Sequence, residues 1–347
     1  MEDTTGTTVR DQVLVGVDGS ENCARAFDIA LAVAKRRGWS MRLVGGYIVP
    51  SLGYESGPVV AQNYEEVLEE HARVPLDALA EAAESEGVDV STAAVAEHAA
   101  DALVRETAEA GLVVVGKRGR NRFAGRFLGS VSAALAAHSH CPTLIIPEKW
   151  ETPDPTKLFA PPQEQPGGDD AEVEPTQLLT ESTPPKPRGP GFRNVDETMN
   201  FRQEVVVGVD LTDDAERIVE VAAQIAELFG RPLTLVAAAS LNADAWYPNP
   251  VEYNAQIPSV RKRYTDHLAQ VAQRVRAAHP DLSVHWQFFD GSPAGVLSEA
   301  SRTASLVALG TRGHGGFAGL LLGSVSQAVL NRSVSPVLVV PTLKNAG

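Results

Sequence analysis

Two stretches of this chain set the same glycines among different residues. GKRGRNRFAGRFLGS runs from Gly116 to Ser130, and GTRGHGGFAGLLLGS runs from Gly310 to Ser324. In each, a glycine is followed three positions on by another, then by nine residues and a Gly-Ser pair. The first glycine closes an apolar run (LVVVG, LVALG) that reads as a strand, and Gly-Ser opens a helix. Gly119 and Gly313 permit a positive φ or a close approach of backbone to ligand. Ser130 is expected as an N-cap, beside free N–H groups and the positive end of a helix dipole. A glycine loop leading to a helix N-terminus is an anion site, most often for phosphate. The first copy adds Lys117, Arg118, Arg120, Arg122 and Arg126, positive charge that suits a polyphosphate. Ser132 and Ser326 either offer hydroxyls to phosphate or are ordinary first-turn residues. The competing reading has the glycines only shaping a crossover and the basic residues forming a solvated face. Identical spacing in two copies counts against it.

Asp18 and Asp210 each end a GVD at the same expected sheet edge. Each either accepts a hydrogen bond from an exocyclic amine or ribose hydroxyl, or caps the following helix. The spacing leaves both open. No G-x-x-x-x-G-K-[ST] occurs, so a P-loop is excluded. Residues 313–318 match G-x-G-x-x-A, but no acid follows at ribose distance and the first copy lacks the pattern.

These residues need a scaffold that brings strand ends and helix starts together. VLVGVDGS (from Val13), LVVVGKRG (from Leu112) and CPTLIIP (from Cys141) return as VVVGVDLT, LVALGTRG and SPVLVVP. The displacement is 192 residues at Asp210 and 194 at Gly310, so the chain is a repeat with almost nothing inserted. Within the first copy, apolar runs alternate with helical stretches from Glu21, Asn63, Ala99 and Ser130, and Pro75 is expected to kink or break the second. Runs that are apolar at every position indicate strands covered on both faces. The fold expected is α/β: two tandem doubly wound domains, 1–150 and 201–347, each a five-stranded parallel sheet with helices on both faces. Residues 151–200, rich in Pro, Gly and acids, are expected as a disordered linker.

Composition narrows the function classes. The 347 residues carry a net charge of −14, which argues against non-specific nucleic-acid binding. No apolar run is long enough to span a membrane, and the acidic N-terminus does not read as a secretion signal. Two cysteines, Cys23 and Cys141, form neither a disulfide framework nor a metal cluster, and a cytoplasmic protein is expected.

The G-x2-G-x9-G-[ST] spacing, the VGVDGS opening and the CPTLIIP close resemble the universal stress protein family, here as a tandem pair. The resemblance covers about 290 residues, everything but the linker and extreme termini. It implies the fold above, pairing through the last strand of each domain or a homodimer, and ATP binding, alone or with Mg²⁺. It implies that Gly16, Val17 and Asp18, with Gly208, Val209 and Asp210, line the adenine and ribose pockets. Gly116, Gly119, Gly129, Ser130 and Val131 would hold the phosphates in the first domain. Gly310, Gly313, Gly323, Ser324 and Val325 would do so in the second, with Thr311, Arg312 and His314 nearby.

The second copy departs from the pattern, with Leu211-Thr212 after its Asp and with Asp213 and Asp214 adding negative charge. His314 reads as a surface residue ahead of a catalyst, His98 has no catalytic partner apparent in the sequence, and Tyr47 either borders the adenine or packs in the core. No catalytic residue and no metal ligand is assigned. A nucleotide-dependent stress regulator is therefore expected ahead of a slow ATPase, an adenylyl-transfer enzyme or a scaffold without nucleotide. The choice between ATP and a cyclic mononucleotide stays open.

Overall fold

The computed structural model describes residues 11–49, 58–119, 128–148, 150, 199–212, 214–241, 250–312 and 322–342. The chain divides into two compact units, Met1–Glu148 and Lys149–Gly347. Of the expected linker, only Trp150, Met199 and Asn200 fall among the described residues, and Met199 is already buried.

In the first unit the order is β1 (Gln12–Gly16), α1 (Glu21–Arg37), β2 (Ser40–Gly46), α2 (Pro58–Ser85), β3 (Val90–Val95), α3 (Ala99–Glu106), β4 (Leu112–Gly116), α4 (Ser130–His138) and β5 (Thr143–Ile146). The strands lie in the order β3-β2-β1-β4-β5, all pairs parallel. The second unit repeats this: β6 (Val205–Gly208), α5 (Ala215–Phe229), β7 (Leu233–Ala239), α6 (Pro250–Ala278), β8 (Val284–Asp290), α7 (Pro293–Ala300), β9 (Leu306–Gly310), α8 (Ser324–Arg332) and β10 (Val337–Val340). Its order is β8-β7-β6-β9-β10, again parallel.

The chain steps from β1 through β2 to β3 in one direction, then returns to β4 on the far side of β1. Right-handed crossovers therefore put α1 and α2 on one face and α3 and α4 on the other. That double cover explains why Val13, Leu14, Val15, Val113 and Val114 are all fully buried. The reversal also leaves a crevice between the carboxyl ends of β1 and β4, where ligands of such sheets bind.

Two local expectations are corrected. Helix α2 begins at Pro58, before Asn63, and Pro75 lies inside it without breaking it. Pro75 packs on the Cα of Gly19, where a Cβ would stand 3.5 Å from the ring, and the next residue, Leu76, is buried. The N-cap of α4 is Gly129 and not Ser130, which is the first helical residue; Gly129 has the extended backbone of a cap (φ −71°, ψ 159°).

Candidate functional site at the strand-order reversal

The crevice of the first unit holds a cavity of about 250 Å³, just below the roughly 300–1,000 Å³ of ordinary ligand pockets. Three segments meet there: Gly16, Val17 and Asp18 from the end of β1; Gly116, Lys117, Arg118 and Gly119 from the end of β4; and Gly129, Ser130, Val131 and Ser132 from the start of α4. These are the residues expected in the first copy, except Arg120, which lies outside the described residues. Register places them together, since Val13 to Val15 of β1 pair with Leu112 to Val114 of β4.

Each segment has a separate physical role. A glycine N-cap supplies no side-chain hydrogen bond to α4. The first N–H groups of a helix have no acceptor within it, and here those belong to Ser130, Val131 and Ser132. The Gly129 N–H donates to the Lys117 carbonyl (2.9 Å), and the Ser132 hydroxyl donates to the same carbonyl (2.9 Å). The Ser132 proton is thus spent on tying helix to loop. Lys117 is half-buried, and burial, with the Arg118 charge beside it, pulls its ammonium down to about 8. Arg118 also faces the Glu148 carboxylate at 3.7 Å.

Asp18 is not itself the cap of α1 but is tied to it. Its Oδ1 accepts from the Ser20 N–H (3.0 Å) and hydroxyl (2.7 Å), and the Ser20 hydroxyl accepts from the Cys23 N–H (3.2 Å). Ser20 is therefore the cap of α1, and Asp18 holds the cap. Its Oδ2 lies against Gly119, where an added Cβ would collide with it. Gly116 allows another close approach, since a Cβ would stand 2.6 Å from the Asn22 amide nitrogen, which donates to the carbonyls of Arg118 and Ile146.

In the second unit the ends of β6 and β9 adjoin in the same way, with Val205 to Val207 paired to Leu306 to Ala308. This brings Gly208, Val209 and Asp210 beside Gly310, Thr311 and Arg312. Gly323 caps α8 without a side-chain bond, and Ser324 and Val325 follow as first helical residues. The Gly323 N–H donates to the Thr311 carbonyl (2.7 Å), and the Ser326 hydroxyl to that of Gly310 (2.6 Å). Gly313, His314 and Asp213 lie outside the described residues.

Comparison with known proteins follows this geometry. The model described as the universal stress protein family matches residues 10–147 and again residues 202–341. The chain belongs to the universal stress protein family. Universal stress protein Rv1996 of Mycobacterium tuberculosis (strain H37Rv) is 27% identical over 352 residues, covering 94% of each chain. A universal stress protein of Mycolicibacterium smegmatis is 26% identical, covering 94% of this chain and 96% of its own. The crystal structure of a universal stress protein from Archaeoglobus fulgidus shares the fold, at 18% identity and TM-score 0.60, over 96% of this chain and 98% of that one. A universal stress protein solved in complex with cAMP is 31% identical over 39% of this chain and 94% of its own, with a TM-score of 0.28.

The two universal stress protein domains differ at their first helices. Gly19 takes a left-handed φ of +73°, which lets α1 begin at Glu21. Leu211 holds that place in the repeat and is not among the positive-φ residues, as a Cβ disfavours that region. Thr212 still donates its N–H to Asp210 (3.1 Å), but α5 starts only at Ala215, two positions late in the repeat. Lys117 is matched by Thr311, nearly buried, its hydroxyl 2.8 Å from that of Thr342.

The sequence reading missed the apolar floor of the cavity, Cys23, Val44, Ala99 and Leu103, and the polar Ser20. Ser20 had a readable signal, a hydroxyl two residues after an acid at a helix start. The floor had none, because it comes from three separate elements. Tyr47 does not line this cavity; burial and the Glu69 and Glu65 carboxylates of α2 raise its pKa. His98 is the N-cap of α3 and makes no side-chain cap bond.

Proposed function

We propose that the first domain binds ATP and that occupancy, with no dedicated catalysis, regulates a stress response. One observation carries this: a single cavity joins the uncapped first turn of α4 to the apolar floor and to Asp18. The donor set fits the nucleotide. The N–H groups and Lys117 suit phosphates, the Asp18 carboxylate suits a ribose hydroxyl or exocyclic amine, and Val44 with Leu103 suits a base face. Nucleotide is the cofactor in this reading, and Mg²⁺ would accompany the phosphates. Residues 151–200 act as the linker between the domains. Strands β5 and β10, the outer apolar strands of their own sheets, pair with one another or with a second copy, since exposed edges invite pairing. Among the described residues no helix is long and apolar enough to cross a membrane, which accords with the cytoplasmic placement proposed.

Mass spectrometry of ligand released from the purified protein tests the reading, and calorimetry with ATP and cAMP ranks the two. A Gly119→Ala variant, whose added methyl must displace the Asp18 carboxylate, is expected to bind ATP at least about tenfold more weakly, the loss of one charged hydrogen bond. Unchanged affinity in a folded Gly119→Ala protein refutes the assignment. A release of cAMP alone would replace ATP as the ligand.

A further inference from the structure

The long helices α2 and α6 hold the same place in the repeat, Leu76 and Leu268 being buried at matching positions 192 residues apart. Their outer faces differ in sign. On α2, Glu65, Glu66 and Glu70 are exposed around Val67, with Glu69 half-buried and paired to Arg73 at 2.6 Å, whereas on α6 the exposed run is Arg261, Lys262 and Arg263, with Lys262 paired to Asp266 at 2.8 Å. Glu69 and Glu70 thus stand where the second copy has Arg261 and Lys262. Apolar surface accompanies the charge. Among the described residues five large apolar side chains are exposed, and four of them, Tyr64, Val67, Val74 and Val260, lie on these two helices. Val67 and Val74 are 60% and 65% exposed and sit two turns apart on one face of α2, so together they form a stripe.

We propose that two copies of this chain associate through α2 of one and α6 of the other. The charge reversal argues for a second copy as the occupant. The chain itself presents both halves of a complementary pair, at equivalent places in its repeat. Opposed acidic and basic faces steer encounter and fix register, and the apolar stripe supplies area that leaves water. One helix-to-helix contact is smaller than the roughly 1,000 Å² a stable interface needs, so a lasting dimer uses both contacts at once. A contact that does not close on itself gives concentration-dependent chains instead. The proposal concerns α2 and α6 and stands apart from the nucleotide reading.

Sedimentation velocity of the full chain across a concentration series, at low and at high salt, reads the association directly. Glu65→Lys/Glu66→Lys/Glu70→Lys makes both faces basic, and Lys262→Glu/Arg263→Glu makes both acidic; all five side chains are exposed, and circular dichroism checks the fold. Each variant alone is expected to associate at least about tenfold more weakly than the native chain at low salt. A mixture of the two variants is expected to recover the association, because each then meets its opposite. High salt weakens every complex. A native chain that stays monomeric throughout overturns the proposal. So does association unaffected by either reversal, or a mixture that fails to recover it.

Discussion

Lys117 stands at the end of β4 with its ammonium drawn down to about 8, by burial first and then by the Arg118 charge. A phosphate in the cavity would reverse that, because a nearby anion favours the charged form. ATP binding should therefore take up a proton near pH 8, and affinity should fall as pH rises through that value. Above it the decline approaches about tenfold per pH unit, until the bound-state value is reached. A terminal phosphate, with a pKa near about 6, has finished ionising by then and does not mask the effect. Calorimetry in buffers of different ionisation enthalpy measures the proton uptake, and Lys117→Met is expected to abolish both uptake and slope. A native protein with flat affinity from pH 7 to pH 9 contradicts this role for Lys117. The lysine and its loop were legible in the sequence, because glycine spacing and charge are local. Its titration was not, since that depends on how far the fold buries the side chain.

At the scale of elements, one tie between helices has changed polarity between the two copies. In the first, Lys35 near the end of α1 pairs with Glu86 just after α2, at 2.5 Å. In the second, Glu227 holds the place of Lys35, and His279 just after α6 meets it at 2.8 Å and Glu220 at 3.2 Å. Burial works to lower the His279 pKa, but hydrogen bonds to Glu220 and Glu227 outweigh it and raise the pKa above the ordinary imidazole value. The folded value exceeds the unfolded one, so the clamp contributes fully below the unfolded pKa and is lost as pH rises through the raised folded value. Glu86 is held below the ordinary carboxylate range by Lys35, so that carboxylate titrates only at acid pH. Hydrogen exchange should show the end of α6 loosening from neutral to alkaline pH, beyond the intrinsic trend, while the end of α2 does not. His279→Gln should remove the difference, and parallel behaviour of both ends would refute the clamp. Which segments became helices was readable, α1 to its first residue, because the 3.6-residue pattern is strong. Caps were less so. Ser130 and Gly129 are both good caps, and only backbone geometry separates them by one position. The late start of α5 follows from Leu211 in a turn built for glycine, visible only once the φ of Gly19 is known.

Across the whole molecule the two copies offer unequal homes for a nucleotide, and the first should bind ATP more tightly. Its cavity has Lys117 where the second has Thr311, whose hydroxyl is occupied with Thr342. Helix α1 opens on Ser20 held by Asp18, whereas α5 starts late behind Asp214, an acid with no cap bond. A unit charge about 8 Å from a phosphate changes its energy by about 2 kcal/mol at an effective dielectric of about 20. Salt and exposure reduce this, and the surviving ~1 kcal/mol corresponds to about fivefold in affinity. Matched variants separate the sites. In Gly129→Asp and Gly323→Asp the new carboxylate caps the helix and takes the N–H groups that a phosphate would use. The two substitutions meet similar crowding, with a Cβ 3.1 Å from the Lys117 carbonyl in one and 3.3 Å from that of Thr311 in the other. Gly323→Asp is expected to retain the tighter ATP site and Gly129→Asp to lose it, at fixed salt, with and without Mg²⁺. Mg²⁺ is a necessary arm, because Asp214 could help to hold the ion and so narrow the gap. If Gly129→Asp keeps the tighter site under both conditions, the charge at Lys117 does not set the order.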